Sequence, residues 1–260
     1  MFRSLNIAAT GMVAQETKLD TISNNLANVN TTGYKRQDAQ FEDLLYQNIR
    51  AAAPTQGGGA APSGTQVGTG VRVVSTSRSF SQGATIQTGN QLDLAIEGNG
   101  FFTVTKPDGT IGFTRAGNFK VDAQGRVCTN DGLSLEPPIN VPPDTASISI
   151  SSDGTISATS ASARTTTQLG QLQIATFPNP NGLEAVGHNM FAPTLASGEP
   201  ISGNPGMDGR GAILQGALEG SNVEMVEEMV GMIRTQRAYE VNSKVISAAD
   251  DMLRNATQVR

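Results

Sequence analysis

Two heptad repeats, one at each end of the chain, constrain the fold more than any other feature of the sequence. The N-terminal repeat has apolar residues every seven positions, with a second column three positions later: Leu5, Met12, Leu19 and Leu26, then Ala8, Ile22 and Val29. The C-terminal repeat has the same period: Met225, Met232, Tyr239, Ile246 and Leu253, joined by Met229. No proline precedes Pro54 or follows Pro205. The two ends are therefore predicted to be long α-helices that pair as a coiled coil.

The ends of both predicted helices carry local signals. Gly33 follows the first repeat and tolerates the left-handed conformation common where helices end. Ser221 and Glu224 have the spacing of a capping box, in which the two side chains satisfy free backbone N–H groups at a helix start. These signals predict a helical domain made of residues 1–33 and 221–260.

The middle of the chain has a different pattern. Residues 51–71 carry no charge and are rich in glycine and proline, so they are predicted to be mobile on their own. Alternating apolar residues follow: Leu92, Leu94 and Ile96, then Phe102 and Val104, then Phe119 and Val121, and finally Ile148, Ile150 and Ile156. Between these groups stand Asp108-Gly109, Asp131-Gly132 and Asp153-Gly154, and Asp-Gly favours two-residue hairpins with two positive φ angles. The pattern predicts half-buried antiparallel strands.

The fold class predicted from these segments is α+β. It combines terminal helices paired as a coiled coil, an extended arm and a central, mainly antiparallel β domain. The arm, or linker, is assigned to residues 34–75 with 205–220, and the β-rich outer domain to residues 76–204.

Composition and motif searches exclude several classes of function. Eighteen basic residues against 23 acidic ones give a net charge of −5, which disfavours nucleic acid as a partner. A single cysteine and a single histidine rule out an internal disulfide and two-histidine zinc motifs. Hydrolytic, phosphate-binding and dinucleotide-binding motifs are absent from the sequence. We therefore predict no catalytic, cofactor or metal site, with His188 in a loop and Cys128 as a buried strand residue.

Membrane insertion and cleavable export are also not expected. No run approaches the roughly 18 apolar residues needed to cross a bilayer. Asn6 and Thr10 interrupt the stretch that would have to be the apolar part of a secretory signal.

The string that follows the first repeat is the most specific motif in the chain. It reads Ser-Asn-Asn-Leu-Ala-Asn-Val-Asn-Thr-Thr-Gly-Tyr-Lys-Arg over residues 23–36 and resembles the signature of the bacterial flagellar rod and hook proteins, the axial family. The residues that match the signature are Asn24, Asn25, Leu26, Ala27, Asn28, Asn30, Thr31, Gly33, Tyr34 and Lys35. Residues 92–102, 113–119 and 214–223 extend the resemblance. Within the family, the chain length and residues 41–50 are similar to those of the distal rod subunit.

The resemblance implies a structural protein rather than an enzyme. Such a chain would polymerise with itself into the distal rod, a hollow drive shaft that crosses the periplasm, transmits torque to the hook and encloses the export channel. The other implied partners are further rod proteins, the hook protein, the P and L ring proteins around the rod, and the flagellar type III export apparatus. This apparatus would export the chain without a cleaved Sec signal.

The two heptad repeats supply the predicted subunit-packing seam. Its residues are Leu5, Met12, Leu19, Ile22, Leu26, Val29, Met225, Met229, Met232, Tyr239, Ile246 and Leu253. Three alternatives stay open at this point: a proximal rod or hook subunit of the same family, a soluble coiled-coil binding adaptor of fixed oligomer size, and a secreted hydrolase or carbohydrate-binding β domain.

Overall fold

The computed structural model describes residues 2–50, 64–161 and 165–258 and divides the chain into two compact units. The helical unit comprises Met1–Ala27, Gln37–Ser77 and Glu224–Arg260. The β unit comprises Asn28–Arg36 and Arg78–Val223. The predicted α+β class is confirmed by an N-terminal helix, a C-terminal helix and a central antiparallel β region.

The two long helices begin and end close to the predicted positions. Helix α1 spans Phe2–Ala27 and helix α2 spans Met225–Gln258. Helix α2 starts at Met225, three residues later than the capping motif predicted. The Ser221 hydroxyl accepts a hydrogen bond from the Val223 N–H instead of capping the helix. The neighbouring Asn222 side chain is bonded within the β unit, to the Arg36 N–H and the Ser79 carbonyl, which holds this segment out of the helix.

Within the helical unit, α1 and α2 contact each other in an antiparallel arrangement. Three pairs fix the register: Gly11 with Asn242, Ile22 with Gly231, and Asn25 with Glu228. An advance along α1 is matched by an equal step back along α2. At two of these contacts one residue is a glycine, and the approach is close at Gly11, where a Cβ would lie 3.0 Å from Asn242 Nδ2.

Four short strands complete the helical unit. Strand β1 (Gln37–Asp43) pairs with β4 (Val71–Arg78), and β2 (Gln47–Arg50) pairs antiparallel with β3 (Thr65–Val67). Residues 51–63, most of the stretch predicted to be mobile, lie outside the described residues. The described remainder of that stretch contains β3, so there the chain is paired. Every residue of β1 is exposed or only half-buried.

The β unit contains the remaining strands and one turn of 3-10 helix at Pro180–Gly182. The strands are β5 Thr85–Gln87, β6 Leu94–Glu97, β7 Phe101–Thr105, β8 Ile111–Thr114, β9 Lys120–Val121, β10 Val127–Cys128, β11 Ser134–Leu135, β12 Thr145–Ile150, β13 Thr155–Ser160, β14 Thr166–Gln171, β15 Ile174–Thr176, β16 Glu184–Gly187, β17 Met190–Ala192, β18 Ile201–Gly203, β19 Ala212–Gln215 and β20 Ala217–Glu219.

The largest sheet of the β unit runs in the order β16-β17-β8-β7-β11-β10-β9, with β15 also paired to β7 and β18 paired to β15. Strands β12, β13 and β14 form an antiparallel three-stranded sheet. Two antiparallel pairs, β6 with β19 and β5 with β20, bring the end of the β unit back to its beginning. Strands β19 and β20 lie within the segment 205–220 that is predicted as part of the arm.

The core of the β unit is denser than the alternating pattern predicted. In β6, Leu94, Ala95 and Ile96 are all buried, and in β7 both faces are buried from Phe101 to Val104. These strands were predicted to be half-buried, and that prediction was wrong because other elements cover both of their faces. A second cluster consists of edge-to-face aromatic rings: Phe101, Phe113, Phe177 and Phe191, with Phe80 against it. Cys128 is buried in β10, as predicted, and burial raises the pKa of its thiol.

The three Asp-Gly pairs stand at hairpin turns, as predicted, but the turns are longer than two residues. Only the glycine of each pair has a positive φ: Gly109 at 80°, Gly132 at 79° and Gly154 at 83°. Each aspartate stays in an ordinary backbone region, which is typical of longer hairpin loops that end with one left-handed residue. The two-residue geometry occurs instead at His188 and Asn189, with φ of 53° and 57°, between β16 and β17. His188 is thus a turn residue.

Candidate functional site

The predicted packing seam divides into buried, half-buried and exposed side chains. Ile22 is buried, whereas Met225, Met229 and Tyr239 are exposed to about half of their area (47%, 50% and 44%). The other members are half-buried: Leu5, Met12, Leu19, Leu26, Val29, Met232, Ile246 and Leu253. The contact between α1 and α2 uses small and polar side chains of α2 as well, since Glu228, Thr235 and Ala249 are buried. Packing of the seam between subunits stays a prediction.

Near the start of α2, the face that points away from α1 is apolar and exposed. Ile233 and Thr235 are two residues apart, a rotation of about 200° around the helix. Thr235 is buried, and its hydroxyl donates a hydrogen bond to the Gly231 carbonyl, whereas Ile233 is 51% exposed. The exposed side chains on the outward side are Val226, Val230, Ile233 and Val241. Rows of branched apolar side chains on an exposed helix face are typical of surfaces that pack against another molecule.

The β unit buries a cluster of three charged side chains, which we name the charge cluster: Lys35, Glu219 and Arg115. The Lys35 Nζ lies 2.6 Å from Glu219 Oε1 and 2.7 Å from the Ser81 carbonyl oxygen. The Arg115 Nε lies 3.2 Å from Glu219 Oε2. The side chains of Lys35 and Glu219 are 0% and 1% exposed, and that of Arg115 is 4% exposed. The cluster therefore holds two cations and one anion away from solvent.

Backbone groups supply further hydrogen bonds to the charge cluster, while among the described residues Glu219 Oε2 contacts only Arg115 and accepts no hydrogen bond. The Arg115 guanidinium donates to the carbonyl oxygens of Gly100 at 2.9 Å and Gly98 at 2.8 Å, and Glu219 Oε1 also accepts from the Gly83 N–H at 3.0 Å. Carbonyl oxygens are the neutral partners that allow a second cation to be buried beside a single carboxylate.

Burial sets the electrostatics of the cluster. Removal from water lowers the pKa of the Lys35 ammonium below its ordinary value of 10.5, while the charge and hydrogen bond of Glu219 oppose this shift and the charge of Arg115 adds to it. Burial likewise lowers the pKa of Arg115, and Glu219 again opposes the change. Glu219 is thus the group that makes burial of both cations possible.

Several residues of the motif over residues 23–36 lie in or beside the charge cluster. Gly33 has a φ of 69°, its N–H donates to the Glu219 carbonyl at 2.8 Å, and a Cβ at this position would lie 2.7 Å from the backbone nitrogen of Ala116. Only glycine fits such a close approach at a positive φ. Tyr34 is buried, with the Arg78 guanidinium 5.9 Å from its ring centre.

Asn25 of the motif acts within the helical unit. Its side-chain Oδ1 accepts from the Gln37 N–H at 2.9 Å, its Nδ2 donates to the Gln37 carbonyl at 2.8 Å, and the residue is 1% exposed. The same Nδ2 lies 3.4 Å from Glu228 Oε1 of α2. Asn25 thus connects the end of α1, the start of β1 and the start of α2.

The remaining motif residues have surface or turn positions. The Thr31 hydroxyl donates to Asn28 Oδ1 at 3.1 Å, and the Thr31 N–H bonds the Asn28 carbonyl, so these two residues form the turn after α1. Leu26 is half-buried, and Asn24, Ala27 and Asn30 are exposed.

Sequence reasoning gave no role to Glu219, Arg115 or Asn222, although all three lie in strings that carried the family resemblance. One signal was available for Glu219. Side chains alternate along a strand, so Glu219 shares the face of Ala217, and a charged residue in phase with a buried alanine indicates a buried ion pair. The partner 184 positions away was not visible without the fold.

Among the residues that the structure describes, no three His, Cys, Asp or Glu side chains lie close enough together to hold a metal ion. In the same part of the chain, neither helix is both long and apolar enough to span a membrane.

Comparisons with known proteins agree with this architecture. Three family models match the chain: "Flagella basal body rod protein" over residues 5–35, "Flagellar hook protein FlgE/F/G D1 domain" over residues 95–158, and "Flagellar basal body rod FlgEFG protein C-terminal" over residues 214–259. The matched ranges include all of the described seam residues and all three members of the charge cluster. The fold and its motifs thus define a flagellar axial protein of the rod and hook class.

Individual relatives narrow this class. The flagellar basal-body rod protein FlgG of Buchnera aphidicola subsp. Schizaphis graminum is 46% identical over 260 residues, covering 100% of both chains, and that of Bacillus subtilis is 40% identical over 268 residues with the same coverage. The flagellar hook protein FlgE of Helicobacter mustelae is 47% identical over 138 residues, which are 52% of this chain but only 30% of the hook protein. The chain belongs to the FlgG family of flagellar basal-body rod proteins. It is a structural subunit of the distal rod of the flagellar basal body.

Proposed function

We propose that the chain polymerises with itself into a hollow rod that crosses the periplasm, transmits torque from the motor to the hook and encloses the export channel. In this proposal α1 and α2 pair as a coiled coil in the inner layer of the rod. The observation that carries it is the exposed apolar face of α2, formed by Val226, Val230, Ile233 and Val241. One partner helix covers only one face of α2, so a second subunit is needed to cover the other. A contact between two different faces of the same chain generates an open helical filament.

The strand pairs β1–β4 and β2–β3 of the helical unit, with the residues that connect β1 to β2, supply a second contact surface in this proposal. Leu45 is 90% exposed, Ile49 63% and Tyr46 55%. Two-stranded ribbons are marginally stable alone, and these have apolar side chains in water. We therefore assign them as an arm that packs against neighbouring subunits. The division into a helical core of residues 1–33 and 221–260, an arm of 34–75 with 205–220 and an outer domain of 76–204 remains part of the proposal.

The proposed partners beyond the chain itself are the other rod proteins, the hook protein, the P and L ring proteins and the flagellar type III export apparatus. The class of the relatives supports the rod and hook proteins as partners. The ring proteins and the export apparatus are proposed as partners only from the family resemblance of the sequence.

Electron microscopy of the concentrated protein, with mass determination of the species in solution, tests the proposal. Straight tubular polymers are the expected result, and a dimer or trimer that does not elongate when a preformed rod base is added would contradict it. Ile233→Asp should abolish the polymers because it places a charge on the exposed face of α2. Gln236→Asp adds the same charge at an exposed position of the same helix outside the apolar row and is expected to polymerise normally.

A further inference from the structure

The chain passes between its two units four times, after residues 27, 36, 77 and 223. The segments of the β unit at these crossings are residues 28–36, the stretch that begins at Arg78, and the stretch that ends at Val223. Every covalent connection to the helical unit therefore runs through three segments of the β unit.

Two side chains, those of Lys35 and Asn222, each bond one of these segments to both of the others. The Lys35 Nζ donates to the Ser81 carbonyl and to Glu219, so the first segment is tied to both of the others. Asn222 repeats this pattern without a charge. Its Oδ1 accepts from the Arg36 N–H at 2.7 Å, and its Nδ2 donates to the Ser79 carbonyl at 2.8 Å and to the Ser81 hydroxyl at 3.0 Å.

Backbone hydrogen bonds reinforce the same junction. The Gly33 N–H donates to the Glu219 carbonyl at 2.8 Å, and the Ser79 N–H donates to the Arg36 carbonyl at 2.9 Å. Arg115 fastens the junction to the main sheet, since it pairs with Glu219 and donates to the carbonyls of Gly98 and Gly100, just before β7.

The arrangement determines how a force would enter the β unit. When a force pulls on one segment that is held only by its own contacts, the contacts break one after another. When several segments are bonded to one another, their contacts must break at the same time. The charge cluster and Asn222 form the second kind of attachment. We name this set, Lys35, Glu219, Arg115 and Asn222, the connection anchor.

We propose that the connection anchor is the mechanical attachment point of the β unit, where load arriving through the helices is shared among all connecting segments. The inference rests on the proposed function in torque transmission, because it gives these residues a role in that process. It predicts a direction-dependent mechanical strength. Loading through the connections engages the anchor, and loading across the sheet does not.

Single-molecule pulling on the full-length monomer tests this inference independently of polymerisation. Thiol handles are introduced in a Cys128→Ser background. One pair, Lys120→Cys with Asp251→Cys, applies force through α2 and the connections, and the other pair, Lys120→Cys with Glu199→Cys, applies force within the β unit; all three sites are exposed. Asn222→Ala is then compared with the unaltered anchor in both geometries.

We expect Asn222→Ala to make the β unit unfold about tenfold faster at the same force when pulled through α2, because the variant loses several side-chain hydrogen bonds. The rate in the second geometry should stay unchanged. If Asn222→Ala accelerated unfolding equally in both pulling geometries, Asn222 would have only a structural role and the inference would be overturned. An unchanged unfolding rate in both geometries would also overturn it. Lys35→Met, which removes the other connecting side chain, should show the same directional difference. Failure of the polymer test would leave these results unaffected, so the two proposals can fail separately.

Discussion

Lys35 and Glu219, 184 positions apart in the sequence, form a fully buried ion pair with 2.6 Å between Nζ and Oε1. Because Arg115 shares the same carboxylate, the two ends of this pair are not equivalent. Glu219→Gln would leave two buried cations without an anion and should cost about 3–5 kcal/mol of unfolding free energy. Lys35→Met would leave Glu219 paired with Arg115 and should cost about 1.5–3 kcal/mol, the range for one hydrogen bond to a charged group.

Urea unfolding of the β unit, followed by a probe in the aromatic cluster, measures both variants. Arg126→Met is the matched control within the β unit, since the Arg126 side chain is 52% exposed in its ion pair with Asp122 and surface pairs contribute little. A larger cost for Lys35→Met than for Glu219→Gln would contradict the assignment of Glu219 as the central member.

Two glycines at the contact between α1 and α2 should respond differently to alanine. A Cβ on Gly231 would lie 3.5 Å from Ile22 Cδ1, an ordinary contact, whereas a Cβ on Gly11 would lie 3.0 Å from Asn242 Nδ2. Alanine is favoured over glycine within a helix by up to about 1 kcal/mol. Gly231→Ala should therefore raise the helicity and thermal stability of the helical unit. Gly11→Ala should gain less, because Asn242 must move.

Far-ultraviolet circular dichroism during heating compares the two variants. Gly11→Ala combined with Asn242→Ala serves as the control, since removal of the amide should restore the gain at Gly11. An equal gain in both single variants would argue against the antiparallel register.

Amide exchange should differ strongly between the units of the monomer. Helices in water depend on tertiary packing for most of their stability, and α2 exposes apolar side chains on the face away from α1. We expect faster exchange in α1 and α2 than in β7, whose residues from Phe101 to Val104 are buried. Protection of both helices should rise on polymerisation. Strong protection of the helices already in the monomer would refute the expectation.

Much of the fold could be predicted because it follows from local periodicity. The heptads located both helices, the alternating groups located the β core, and Asp108-Gly109 marked a hairpin. The backbone geometry of the hairpin turns could not be predicted from local periodicity. Two left-handed residues occur at His188 and Asn189, whose side chains gave a weaker signal than Asp-Gly.

The site depended on information that a linear pattern does not carry. Helix α2 has apolar residues around much of its circumference, so its heptads could not show which face contacts α1; the structure uses Gly231 and Thr235 there. The family motif marked Lys35 as important without giving a reason. The reason is a partner from the other end of the chain, which folding alone brings within 2.6 Å.

The turn at Asp122 should make stability depend on acid pH. Asp122 Oδ1 accepts from the N–H groups of Arg126 at 2.8 Å and Gln124 at 2.9 Å, and Oδ2 accepts from the Arg126 Nε at 2.9 Å. These bonds, chiefly that of the Arg126 backbone, lower the pKa of Asp122 below its ordinary value of 3.8. The folded state thus favours the charged carboxylate, so the stabilisation is fully present above about pH 3.8 and is lost as the pH falls through the lower folded-state pKa.

Unfolding midpoints of the unaltered chain and of Asp122→Asn, measured between pH 7 and pH 2, should show a gap that narrows only below about pH 3.8. Arg126→Met separates the causes, because it removes the side-chain donor but keeps the backbone N–H that lowers the pKa most. In an Arg126→Met background, the gap in unfolding midpoint between the chain that keeps Asp122 and Asp122→Asn should therefore still narrow at acid pH by most of the original amount. A gap between the unaltered chain and Asp122→Asn that is constant across the whole range would show that the carboxylate does not stabilise the turn through its charge.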